Sequence, residues 1–207
     1  MAETAPTRQR LIAAGMRLFA ERGFQASAVG DIEAASGLQP RRGALYKHFP
    51  SKAALLEAAL RTHLDRAAAG AAQIGELGLT PVPVVDRALL RPILVGLGRW
   101  FLEEMDRLES LTRMLEHDGQ RMTDLTGEVK RNIVDLSYRT ATDVIAVIAP
   151  AAPDPEATAI VALGSLVALR RTAWTFGSPA LDLDDDRALA AWTDLILASV
   201  HNAENPT

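Results

Sequence analysis

GALYKHFPSK occupies Gly43 to Lys52. Within ten residues it holds a tyrosine, two lysines, a histidine and a phenylalanine, breaks at Pro50 and restarts at Ser51. Pro50 cannot continue a helix, whereas Ser51 can open one by accepting a hydrogen bond from a backbone N–H one turn later. The stretch therefore reads as the end of a short helix and the start of a longer one. Tyr46, Lys47 and His48 all carry donors suited to phosphate oxygens. Ser51 and Lys52 open a helix N-terminus, which favours anions. The plainer alternative is packing for Tyr46 and Phe49 with solvated lysines. Phe49 fits that alternative, since it lies four residues from Leu45 on the face that would point inward.

Upstream, Thr7 can cap a first helix ending near Arg22, with Leu11, Ile12, Gly15, Leu18 and Phe19 on one face. Gly23 stops it. Ser27 can cap a short second helix with Val29, Ile32 and Ala35 inward, and Gly37 ends that one. Pro40 then opens a third helix over about 41–48. Two short helices, a tight turn and a supporting first helix make a helix-turn-helix. The third helix would enter the major groove of double-stranded DNA with its first residues at the bases. Those residues are Arg41, Arg42, Gly43 and Ala44. An arginine fork matches the O6 and N7 acceptors of guanine, and small residues behind it permit close approach. Ser27, Tyr46, Lys47, His48, Ser51 and Lys52 would hold phosphates.

The 207 residues carry a mild net charge of −4, which taken whole argues against a nucleic-acid partner. The charge is unevenly spread. Residues 1–63 hold 9 Lys+Arg against 5 Asp+Glu, and residues 64–207 hold 13 against 21. A basic head on an acidic body points to a polyanion partner for the head alone. Apolar residues make up 48%, enough to bury a core, and cysteine is absent, which excludes disulfides and suits a reducing compartment. No membrane-spanning stretch or secretory leader is visible, so a soluble, cytoplasmic protein is expected.

Three stretches carry a family resemblance: LIAAGMRLFAERGF, DIEAASG and GALYKHFPSKAALLEA. The segment from Arg8 to Leu56 resembles the DNA-binding region of TetR/AcrR-type bacterial transcriptional regulators. The resemblance implies a repressor-like homodimer whose larger domain binds a small molecule. By position it places phosphate contacts on Ser27, Tyr46, His48 and Lys52 and base reading on Arg42, Gly43 and Ala44. One departure is visible. LQPRR separates Gly37 from Gly43, where the family commonly has a shorter connection.

Helical periodicity continues downstream, giving an all-α chain of roughly nine helices. The expected division is a helix-turn-helix DNA-binding domain over 1–52 and a helical-bundle ligand-binding and dimerisation domain over 53–207. One helix is expected to end near Glu104 and another to begin near Arg107. The segment 122–148 reads as one long helix. Asp154 and Pro155 open the next, and Asp184 to Asp186 sit at the start of the last. The final two helices present Ile160, Leu163, Gly164, Val167, Trp192, Leu195 and Ile196 for a twofold four-helix interface. A monomer core is the competing reading of the same pattern.

An effector pocket among body helices would draw on Trp100, Met105, Met114, His117, Tyr138, Trp174 and Phe176. Arg170 and Arg171 suit either an anionic ligand or the body's own carboxylates, and the acidity of the body favours the second. No catalytic motif, metal-ligand spacing or cofactor loop appears. The sequence therefore predicts a ligand-responsive repressor. It would bind a near-palindromic operator as a dimer and be released by a small apolar molecule. The alternatives are a helical sensor acting through a protein partner and a helical-bundle enzyme.

Overall fold

The computed structural model describes residues 6–40, 42–76, 87–149 and 152–204, and among them there is no strand. The helices are α1 (Thr7–Arg22), α2 (Val29–Ala35), α3 (Lys52–Glu76), α4 (Arg87–Asp118), α5 (Thr123–Val129), α6 (Asp135–Ile148), α7 (Pro155–Phe176) and α8 (Asp185–Glu204). A π-helical turn, Lys130–Val134, joins α5 to α6 without a break. Among the described residues there are thus seven helical rods where nine were expected. The long helix read over 122–148 is present.

Two expectations fail for identifiable reasons. The third helix, expected over 41–48, is a single 3₁₀ turn at Leu45–Lys47. Pro40 removes a backbone donor and biases Gln39 away from helical geometry. Gly43 has φ +67°, outside the right-handed helical region. Two breakers so close together leave room for one turn. The break expected between Glu104 and Arg107 is absent. There Arg107 pairs back to Glu103 at 3.6 Å and also to Glu104, spacings that support a continuous helix. Pro92 lies inside α4, which begins at Arg87. Of the expected loop over 75–83, residues 77–83 lie outside the described residues, as does Pro150.

The helix ends follow local chemistry. Gly23, Gly37 and Gly177 each terminate a helix with positive φ. The Ser51 hydroxyl accepts from the Ala54 N–H at 3.0 Å, and Asp154 accepts from the Ala157 N–H at 2.9 Å. Asp184 accepts from the Arg187 N–H at 2.9 Å. Thr7 and Ser27 do not cap. Pro6 and Ala28 take those positions, and the Ser27 hydroxyl instead donates to the Gly23 carbonyl at 2.8 Å.

Residues form two compact units, 1–68 with 108–133 and 69–107 with 134–207. The core of the first gathers Leu11, Phe19, Ile32, Leu45, Phe49, Leu55, Leu111 and Met114. Ile12 is half-buried, and Ala35, expected inward, is exposed. A Cβ on Gly15 would lie 2.7 Å from a Leu55 methyl, which is how closely α1 and α3 approach.

The second unit is built on Leu90, Leu94, Leu102, Ile145, Ile148, Leu189, Trp192 and Ile196. The Trp192 indole N–H donates to the Ala162 carbonyl at 2.9 Å. Arg170 makes two 2.7 Å hydrogen bonds to the Asp185 carboxylate, and its Nε lies 3.0 Å from Asp106. This is the carboxylate pairing the sequence favoured. The hydrogen bond from Arg170 lowers the Asp185 pKa. A carboxyl lowered on folding stabilises above its unfolded pKa, and that contribution is lost as pH falls through the folded pKa. Asp185→Asn should therefore cost about 1 kcal/mol at neutral pH, the carboxylate being partly solvent-screened. The difference should begin to shrink as pH falls below about 4 and vanish only below the lowered folded pKa. Urea unfolding of both proteins across that range checks it, and a pH-independent gap would remove the ion pair as its cause.

The sequence reading found no membrane-spanning stretch. Among the described residues, α7 is long and apolar enough to cross a membrane by length and composition, with mean hydropathy 1.2 over an 18-residue window. Ala159, Leu163 and Leu166 of α7 are buried in the unit's core and Arg170 is bound to α8, so one face of α7 packs within the unit.

Candidate nucleic-acid interface

The segment after α2 is fixed by one buried carboxylate. Glu33 is fully buried on α2, and its Oε1 accepts the Leu45 N–H at 2.9 Å. Leu45 and Phe49 fall into the core, and the His48 and Phe49 N–H groups both donate to the Leu45 carbonyl at 2.9 Å. With those residues inward, Tyr46, Lys47 and His48 are turned to solvent. Tyr46 is 58% exposed, and Lys47 and His48 are also exposed. Arg42 is exposed beside half-buried Gly43 and Ala44. Arg41 lies outside the described residues. A compact set of exposed donors therefore stands on a turn anchored from below.

Two residues expected at phosphates are engaged inside the protein. Ser27 is buried. Lys52 reaches back to the α1–α2 connection, donating to the Phe24 carbonyl at 2.5 Å and the Ser27 carbonyl at 2.9 Å, with Gln25 O at 3.5 Å. Its ammonium also lies 4.4 Å from the centre of the Phe24 ring. Burial lowers the Lys52 pKa, and the nearby Asp118 charge partly offsets this. The lysine thus acts as a brace between α3 and the loop before α2. Ser51, the cap of α3, is half-buried.

Sequence reasoning missed three contributors. Arg8 sits with its guanidinium 4.9 Å above the Phe49 ring, adding a cation beside the turn. Glu33 and Asp118 act across 12 and 94 residues of sequence, separations that no local pattern signals.

The expected pocket residues are divided between the two units. Met114 and His117 belong to the first unit, where Met114 is core and His117 is exposed at the end of α4. In the second unit Trp100, Met105, Tyr138 and Trp174 are half-buried, and Phe176 is 79% exposed. The Trp100 ring packs where a Cβ on Gly70 would stand, 2.5 Å away. A shallow groove between α1 and α2, lined by Arg17, Leu18, Glu21, Arg22, Asp31 and Ala34, is open and of mixed charge. Of the expected dimer residues, Leu163, Trp192 and Ile196 lie inside the unit's own core. Gly164 and Val167 are half-buried, and Ile160 and Leu195 are exposed, as is the neighbouring Val161.

Comparison with known proteins places this geometry. Residues 11–59 match the N-terminal domain of the bacterial regulatory proteins of the tetR family. The HTH-type transcriptional repressor DhaR of Mycobacterium sp. strain GP1 is 48% identical over 54 residues, 26% of either chain. The HTH-type transcriptional repressor KstR2 of Mycolicibacterium smegmatis is 28% identical over 123 residues, 59% of this chain and 55% of that protein. The matches therefore span about a quarter and just over half of these relatives. A crystal structure of a TetR-like transcriptional regulator from Rhodococcus sp. RHA1 shares the fold at a TM-score of 0.61, with 19% identity and 97% of both chains covered. Residues 11–59 are thus similar to the N-terminal domain of the bacterial regulatory proteins of the tetR family, and the helical architecture that continues from them shares the fold of the Rhodococcus regulator.

Proposed function

We propose that this protein is a ligand-responsive transcriptional repressor that binds a near-palindromic operator as a homodimer. The observation that carries the reading is the set of exposed donors at residues 42–48 standing on the Glu33–Leu45 anchor. Residues 1–52 form the DNA-binding head and residues 53–207 the ligand-binding and dimerising body. Arg42, Gly43 and Ala44 face bases, and base reading is assigned to Arg41 as well. Tyr46, Lys47 and His48 face phosphates, with Arg8 added to that set. Two reading turns about 34–36 Å apart would meet successive major grooves.

Dimerisation is supported by the outward apolar residues of α7 and α8. Val161 and Leu195 are each 73% exposed, and only 17% of the apolar window of α7 is buried. A second copy covering this face would remove that surface from water. A small apolar effector in the body releases the DNA by binding the DNA-incompetent state better.

Fluorescence anisotropy of the purified protein against the DNA upstream of its own coding sequence and against a scrambled duplex, over a salt series, tests the reading. Tight binding to the upstream DNA with two chains per site is expected. No binding to either duplex at low salt would remove DNA as the partner. Two variants separate the roles. Lys47→Ala should weaken all sequences alike and flatten the salt slope by about one phosphate contact. Arg42→Ala should cost about 1–3 kcal/mol at one base pair and relax preference there. A uniform loss for Arg42→Ala would reassign it to the backbone.

A further inference from the structure

We infer that Asp118, at the end of α4, is a positioning residue for the DNA-reading turn, acting by gripping the Phe24 peptide between itself and Lys52. This rests on the DNA-binding reading above and names a determinant outside the helix-turn-helix.

Phe24 is held at both ends of its backbone. Its N–H donates to the buried Asp118 Oδ2 at 2.5 Å, and its carbonyl accepts from Lys52 at 2.5 Å. Its ring packs edge to face on Phe19, with centroids 5.1 Å apart, and lies under the Lys52 ammonium. The other Asp118 oxygen lies 3.7 Å from Arg121. Gly23 makes room for the grip. A Cβ there would stand 2.8 Å from Asp118 Oδ2, and its φ of +83° disfavours any side chain.

From Phe24 the restraint passes along a short path. Lys52 also holds the Ser27 carbonyl, one residue before the N-cap of α2. Helix α2 carries Glu33, which holds the Leu45 N–H of the reading turn. Asp118 thereby fixes where α2 begins, and α2 fixes where the turn sits. A charged acceptor on a buried N–H is among the stronger hydrogen bonds and is costly to remove. The groups involved leave the exposed donors at 42–48 untouched. The grip therefore bears on placement of the reading residues and not on the attraction to phosphate.

The test uses the full chain and the duplex it most enriches from a randomised DNA library, with a scrambled duplex as control. Asp118→Ala is expected to lower affinity for the enriched duplex about tenfold or more. Its affinity for the scrambled duplex and its salt slope should stay within about twofold. Asp118→Asn retains an acceptor oxygen and should recover most of the loss. Hydrogen exchange at the Phe24 amide should speed up in the alanine variant and remain slow in the asparagine variant. Equal losses on both duplexes would overturn the positioning role in favour of a general stability effect. So would unchanged affinity for the enriched duplex. Should the alanine variant fail to fold, the asparagine variant decides. Wild-type-like exchange and preference uphold the role, and a loss on both duplexes overturns it. A wild-type protein that enriches no duplex removes the DNA reading itself, and the positioning role falls with it.

Discussion

Trp192→Ala is expected to destabilise the second unit by about 3–5 kcal/mol, the usual cost of deleting a large buried aromatic side chain. Trp192 is buried on α8, hydrogen-bonded to α7 through Ala162, and in contact with α4 at Gly98. Urea unfolding followed by far-UV circular dichroism measures it. A loss below about 1 kcal/mol would mean that this seam is loosely packed. Gly98 sharpens the test. A Cβ there would meet a Leu189 methyl at 2.6 Å and the Trp192 ring at 3.1 Å. Gly98→Ala alone should overpack the seam and cost about 1–3 kcal/mol. In a Trp192→Ala background the methyl enters space the indole has left, so the two costs should sum to more than the double variant loses. Strict additivity would contradict the contact.

Glu33→Ala should strike the head as hard in function as Trp192→Ala strikes the second unit in stability. It leaves the buried Leu45 N–H without its acceptor, a penalty of about 1–3 kcal/mol. It also frees the turn that carries the exposed donors. Specific DNA affinity is expected to fall more than tenfold while the protein remains helical by circular dichroism. Glu33→Gln keeps an acceptor in nearly the same shape and should fall between. Wild-type DNA preference in the alanine variant would show that Leu45 and Phe49 hold the turn by packing alone.

The sequence made the helix ends most legible where a single residue settles the matter. Glycines at 23, 37 and 177 and side-chain caps at 51 and 154 act within one turn, so their reading needs no tertiary knowledge. The inward set Leu11, Leu18, Phe19, Leu45 and Phe49 was equally plain from its spacing. Thr7 and Ser27 show the limit of that logic, since either could cap, yet the N-cap positions fall on Pro6 and Ala28, which make no side-chain cap. The lengthened 38–42 connection could be seen but not shaped, because Pro40 and Gly43 compete with helix formation and only a tertiary anchor decides the outcome. At the candidate interface, exposure of Tyr46, Lys47 and His48 followed from the burial of Leu45 and Phe49. The fate of Lys52 did not follow. Its partners are backbone carbonyls of residues 24, 25 and 27, and carbonyls carry no sequence signature.

The Glu33–Leu45 hydrogen bond also bears on how such a protein can diverge. It is made to a peptide N–H, which every residue but proline supplies at position 45. The side chains at 42 and 44 take no part in it. Under the proposed roles, those two positions can be exchanged over generations while the turn stays where it is, whereas the positive φ of Gly43 holds position 43 to glycine. New operators then become reachable by small steps, without the fold being renegotiated at each one.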